Sequence, residues 1–386
     1  MLKAFDAFLA TLRRSAEIGF AQSASRRPYD RAAGLRHILD NLSLGLSFLL
    51  HNADGMHPEL LHYFDPQRKQ GGDNQDALYV GANLDGSQTY RLHGDRGTAR
   101  FFAITVVEKG PTPFGGRSSA YLFGHDMKVE PDGRFEVVLS PRPHPGNWLE
   151  LGPNTLRVTV RQFFADWENE RPMRAMIERV GPPVPPPLIT AETVMAALES
   201  TGAWIESTVS FWQKMIGIFA RKPNTFQRWR DLDTTKVDAT PGGDPWNCYW
   251  SVPEDSALIV RVRPPQCRFW NLEFNNPWWE THDYRYRLSG TNVHHAVLEE
   301  DGELIAVVAH DDPGLPNWLD PGGFTEGMMG MRWMFADTRP QPQCTLVKRS
   351  ALEGALPGKI RRITPEQRQG QLAARHRGIY NRFGWM

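Results

Sequence analysis

The spacing of apolar residues changes several times along the chain, and each change marks a different kind of element. Leu35, Ile38, Leu39, Leu42, Leu46 and Leu49 recur every three or four positions, so residues 30–51 are predicted to form a helix with Asp30 as its cap. Phe5, Phe8, Leu9 and Leu12 repeat in the same way near the start. Asp6, Arg13 and Arg14 interrupt that stretch, so it reads as a helix docked on the body of the protein, not as a signal peptide. From Leu78 to Arg179 the text becomes short, β-rich runs: Thr89–His93, Arg100–Val107, Arg134–Ser140 and Leu156–Phe164. Asp85-Gly86 and Asp132-Gly133 read as hairpin-like turns between them. Residues 181–187 are GPPVPPP, a segment that cannot join a sheet ladder and serves as a linker. Helical spacing returns from Ala191 to Arg221 behind Thr190. Thr364, Pro365 and Gln367 form a capping box for a closing helix to Arg382.

Laying the chain after residue 240 over the first β region exposes an internal repeat. Gly71-Gly72-Asp73 corresponds to Gly242-Gly243-Asp244, Arg100-Phe101-Phe102 to Arg268-Phe269-Trp270, and Asp132-Gly133 to Asp301-Gly302. Asn147-Trp148-Leu149 corresponds to Asn317-Trp318-Leu319, and Arg161 with Asp166 to Arg332 with Asp337. The order is kept and the offset stays close to 170 residues, which implies a duplicated β-sandwich. The expected fold class is therefore mainly β with accessory α: two tandem jelly-roll-like β-sandwich units braced by N-terminal, central and C-terminal helices. The expected divisions are a helical segment at 1–66, a first sandwich at 67–180, linker and central helix at 181–235, a second sandwich at 236–350 and a C-terminal helix at 351–386.

Charge and composition narrow the partners. Lys plus Arg and Asp plus Glu are both 44, so no net field favours nucleic acid or an acidic membrane. The longest apolar run, Leu42–Leu50, is too short to cross a bilayer. Three scattered cysteines cannot build a disulfide framework, and a reducing, cytoplasmic location is expected. No nucleotide, serine-hydrolase or zinc-protease signature occurs.

The repeat also sorts residues. Features kept in both halves are expected to serve the fold: Arg161 with Asp166 and Arg332 with Asp337 as ion pairs, Asn147 and Asn317 as turn braces, and Trp148 and Trp318 as core. Features of one half can serve a site. Asp73 and Asp76 sit in a carboxylate-rich stretch leading to Tyr79, where the second copy loses the later acid. Pro277–Arg287, PWWETHDYRYR, has no counterpart in the first copy. Read as a strand, it would place Asp283 and Arg285 opposite Tyr284 and Tyr286. Glu280, His282 and Asp283, with Asp73 and Asp76, are the expected proton-transfer groups. Trp278, Trp279, Tyr284, Arg285 and Tyr79 are the expected binding wall. His310 with Asp312 is the best metal candidate among weak ones, but no metal or cofactor is expected.

Segments 71–79 (GGDNQDALY), 147–153 (NWLELGP), 160–170 (VRQFFADWENE), 264–285 and 316–320 resemble a bacterial family known as domain of unknown function 1214, often paired with family 1254. The resemblance spans about residues 30–350 and implies jelly-roll-like sandwich units with accessory helices, but no reaction. The expected function is a metal-independent acid-base enzyme of hydrolase or lyase type. Its substrate would be a neutral carbohydrate, isoprenoid or polycycle in an aromatic cleft near the inter-domain face. A non-catalytic ligand-binding or homo-oligomer assembly module is the alternative. Two carboxyls converging in a deep pocket would favour the enzyme.

Overall fold

The computed structural model describes residues 1–23, 26–228 and 240–384. The expected boundary at 235/236 falls outside them. Among the described residues there are four sheets and five α-helices, in two halves with the same strand order. In the first half, β1 (Leu61–His62), β2 (Ala77–Asn83), β4 (Phe101–Glu108), β5 (Ser118–Phe123) and β8 (Thr155–Phe163) make a five-stranded sheet ordered β1-β2-β8-β4-β5. Facing it are β3 (Tyr90–Asp95), β6 (Arg134–Ser140), β7 (Trp148–Glu150) and β9 (Arg174–Arg179), ordered β7-β6-β3-β9.

The second half repeats this arrangement. Strands β10 (Gln227–Arg228), β11 (Trp246–Ser251), β13 (Phe269–Phe274), β14 (Gly290–Asn292) and β17 (Glu326–Met334) are ordered β10-β11-β17-β13-β14. Strands β12 (Ser256–Val262), β15 (Leu304–Ala309), β16 (Trp318–Leu319) and β18 (Gln343–Lys348) are ordered β16-β15-β12-β18. The halves fold alike, as the repeat predicts.

Burial explains which strands alternate and which do not. In β3 the Arg91 and His93 side pairs with Glu136 and Glu178 at the surface, while Tyr90 and Leu92 enter the sandwich core. In β4 every residue from Phe101 to Val107 is buried. Phe102, Ile104 and Val106 fill that same core, whereas Phe101 and Ala103 face the other half. The two five-stranded sheets meet there through Phe163, Phe269 and Met334. A strand covered on both faces has no polar side and reads as a continuous apolar run.

Three helices cover this seam: α1 (Leu2–Gln22), α2 (Pro28–Leu46) and α3 (Ala191–Phe219). Helix α1 docks on α3, as its apolar stripe predicts, and Ile38, Ile205 and Val209 form the joint with α2. Thr190 and Thr193 close the capping box of α3. Helix α4 (Leu352–Ala355) packs Leu352 under the second small sheet, and α5 (Pro365–Phe383) starts at the expected Thr364 cap. Among the described residues no helix is long and apolar enough to cross a membrane.

Several local expectations are corrected. Helix α2 begins after Arg27, which stands at the N-cap position without a side-chain cap bond, and Asp30 lies inside the first turn, ion-paired to Arg27; residues 47–51 widen into a π-helical turn. Asp85-Gly86 and Asp132-Gly133 join strands of different sheets and are arches, not hairpins. Arg161 donates to Thr105 Oγ1 and Arg332 pairs with Glu273, while Asp166 and Asp337 accept from nearby turn groups. Asn147 and Asn317 do brace turns, but Trp148 and Trp318 are half-buried on short edge strands instead of filling core.

Candidate functional site

Apart from Tyr79 on β2, the residues expected to form the acid-base site lie in two loops, 69–76 and 276–287, that cross the seam between the halves. The second is a chain of turns and not a strand. Asp283 accepts from the backbone of Tyr286 and Arg287, so Asp283, Tyr284 and Arg285 do not alternate between faces. Tyr286 is exposed beside His376.

Asp73 and Asp76 stitch the halves together. Asp73 accepts from Thr281 N at 2.9 Å and Thr281 Oγ1 at 2.5 Å. Burial pushes its carboxyl up to about 6, against the nearby Lys69 charge and the Thr281 bonds. Asp76 is fully buried; it accepts from Trp167 Nε1, Asn292 Nδ2 and Asn271 Nδ2 at 2.7–2.8 Å. Gln75 between them bonds Ser289 and Arg375. Trp278 is wedged between α1 and α2: its indole donates to the Asp30 carbonyl, and a Cβ at Gly34 would lie 2.1 Å from its ring. Tyr284 is buried under Lys69 Nζ, 4.6 Å from its ring centre.

The remaining candidates, Arg285 apart, line two separate hollows. The polar hollow, about 370 Å³, is bounded by Glu280, Thr281, His282 and Asp283 from the second loop, Lys69 from the first, Arg36 and Asp40 from α2, and Tyr29 and Phe324. Glu280 Oε1 accepts from His37 Nδ1 at 2.7 Å, and its Oε2 accepts from Asn276 Nδ2 at 2.9 Å. Lys69 Nζ donates to the carbonyls of Thr281 and His282, and burial holds its pKa below the ordinary lysine value. His282 is packed between Phe274 and Phe324 with Nε2 lacking a partner; burial, then the Lys69 and Arg287 charges, push it down to about 3. It is a neutral imidazole at physiological pH.

Two carboxyls of this hollow are pushed in opposite directions. Burial, and then Glu280, raise Asp40 in spite of its pairing with Arg36. Burial also acts to raise Asp283, but the two-pronged Arg285 bond, at 2.8 Å on each oxygen, and the Lys69 charge outweigh it and leave it lowered. Arg285 thus holds a carboxylate; it does not line the hollow.

The aromatic hollow, about 350 Å³, lies between the two five-stranded sheets and is walled by Trp279, Tyr79, Trp212, Phe114, Tyr63 and Phe64, with Arg157, Arg161 and Arg332 among its polar lining. Trp279 and Phe114 come from equivalent connections, β13–β14 and β4–β5, and Arg161 and Arg332 from equivalent strands. Residues kept in both halves therefore contribute to a cavity as well as to the fold, against the expectation from the repeat.

Residues 75–166 match the family model described as "Protein of unknown function (DUF1214)". A crystal structure of an uncharacterized protein from Burkholderia cenocepacia is 30% identical, covers 90% of this chain and 97% of its own, and superposes with a TM-score of 0.86. The chain belongs to the DUF1214 family. A Vibrio parahaemolyticus crystal structure is 11% identical over 87% of this chain and 99% of its own, with a TM-score of 0.48. No curated protein matches the chain. The family model is confined to the first half, whereas the sequence resemblance was expected to run from about 30 to 350.

Sequence reasoning missed His37, Asp40, Lys69 and Gln70. The first two carried a signal: Arg36, His37 and Asp40 are ionisable residues grouped beside the apolar positions Leu35, Ile38 and Leu39 of α2. The His310 and Asp312 side chains are engaged elsewhere, His310 Nε2 on the Val252 carbonyl and Asp312 on Arg368.

Proposed function

We propose that the protein is an acid-base enzyme of hydrolase or lyase type, and that the polar hollow is its reaction site for a small neutral molecule. The observation that carries this reading is the opposite perturbation of carboxyls on one hollow: the pKa of Asp40 is raised and that of Asp283 lowered. Such separation divides the work of two carboxyls, because one must keep a proton to give while the other must remain an anion that steadies developing positive charge. Asp40 would donate to a departing oxygen. Glu280, held by His37 and Asn276, would accept a proton from water or from the substrate. Asp283 would stay charged, and the neutral His282 would hydrogen-bond a substrate oxygen or hydroxyl. No step in this reading needs a metal.

The test is a panel of neutral glycosides and hydroxylated small molecules, used both for turnover and for crystal soaking. Wild-type turnover with a bell-shaped pH profile, lost in Asp40→Asn and in Glu280→Gln, is expected. Turnover that survives both substitutions would overturn the assignment, as would soaked crystals without density in this hollow for any compound.

A further inference from the structure

The aromatic hollow has a continuation. A smaller apolar space of about 180 Å³ is lined by Leu44, Phe48, Leu49, Leu156 and Trp204, and it shares Tyr63, Phe64, Gln70, Phe114 and Arg157 with the larger one. The smaller space lies against the π-helical turn at residues 47–51. Such turns widen a helix by one residue and recur at functional sites. The wall of the larger space also carries strain. Trp279 adopts φ 58, a left-handed conformation that bulky residues avoid. The Gly72 N–H donates to the Trp279 carbonyl, and the Trp279 N–H donates to the Asn276 carbonyl. These bonds hold the indole against Trp212 and Phe219, at ring distances of 5.3 and 5.9 Å.

The polar groups define what such a space accepts. Gln70 lines both parts, is 2% exposed, and its Oε1 meets no donor. A buried acceptor without a donor costs free energy, which a ligand hydroxyl recovers. The arginines do not ask for an anion. Arg332 is paired with Glu273 and donates to the Gly72 carbonyl, Arg157 donates to the Phe114 carbonyl, and Arg161 to Thr105 Oγ1. We infer that the two spaces together form a second binding site, separate from the polar hollow, for an elongated neutral alcohol of isoprenoid type. Its hydroxyl would meet Gln70, with the apolar chain lying along the aromatic wall and the π-helical turn.

Farnesol, farnesene, farnesoic acid and geraniol are suitable probes, followed by tryptophan fluorescence of the full chain, since Trp204, Trp212 and Trp279 border the site. Saturable farnesol binding is expected, tighter than that of farnesoic acid. Gln70→Leu should weaken farnesol about five- to tenfold, the equivalent of one hydrogen bond, and leave farnesene unchanged while raising the melting temperature. Leu49→Trp should weaken farnesol and spare the shorter geraniol. Glu280→Gln should leave farnesol binding intact, so a failed reaction-site assignment would not disturb this result. Absence of saturable farnesol binding to the wild type, tighter binding of the acid, or equal weakening of farnesene by Gln70→Leu would overturn the inference.

Discussion

Asp76 is the sharpest test of how the halves are joined. It is buried at the seam, and its substitution by alanine removes the acceptor of Trp167 Nε1. Asn292 Nδ2 keeps the carbonyls of Phe164 and Ala165, and Asn271 Nδ2 keeps Asn74 Oδ1, so the first loses one bond of three and the second one of two. An orphaned buried donor costs about 1–3 kcal/mol and each lost bond about 0.5–1.5 kcal/mol. The charge matters too. Arg375 and Arg382 are buried beside Trp167, desolvation lowers both to about 10, and Asp76 is the first counter-charge acting on each. Asp76→Ala should therefore cost roughly 4–6 kcal/mol. Asp76→Asn retains one acceptor but turns an amide N–H toward Asn271 Nδ2, and should cost about half as much. Urea unfolding followed by tryptophan emission measures this, with far-UV circular dichroism to confirm folding. A loss below about 1 kcal/mol for Asp76→Ala would refute the view that this carboxylate ties the seam, since no relaxation could then be leaving its donors unpaired.

Two further outcomes follow from the duplication and from burial. Asn147 and Asn317 each exchange two bonds with one backbone residue, Lys128 or Val297, and donate to a second carbonyl, Glu136 or Ile305. Alanine at either should destabilise, by about 1–2 kcal/mol at half-buried Asn147 and about 2–3 kcal/mol at buried Asn317; calorimetry showing no loss at Asn317 would break the equivalence. His282 has its folded pKa depressed to about 3, so the unfolded chain takes up a proton first as the pH falls below about 6.5. The stability it contributes is complete above that pH and drains away toward pH 3, by roughly 3 kcal/mol at pH 4. Asp73, raised to about 6, acts in the opposite sense over pH 4–6, so the effect is read as the difference between wild type and His282→Phe. Parallel pH–stability curves for the two proteins would contradict it.

Much of the architecture is present in the sequence because it rests on local chemistry. Helix caps at Thr190 and Thr364 satisfy backbone donors within one turn, and the paired Asp-Gly turns at Gly133 and Gly302 take positive φ in both halves. The repeat revealed the common strand order for the same reason: two copies must place glycine, asparagine and core aromatics at matching positions to fold alike. Residue types also drew attention to loop 277–287, because so many ionisable and aromatic side chains seldom crowd a solvated turn.

Tertiary structure decided how those side chains divide. One loop presents Glu280, His282 and Asp283 to the polar hollow and Trp279 to the aromatic one, so the single expected cleft became two. Trp278 was taken up as a wedge beneath Gly34, and Asp76 as a stitch across the seam, since Gly34, Asn271 and Asn292 come from elements more than 190 residues away in sequence. Lys69, Gln70 and Asp40 gained their character from burial. Periodicity tells which face of an element is apolar, but desolvation is set by what finally covers it, and that is fixed only when the two halves and their helices close on one another.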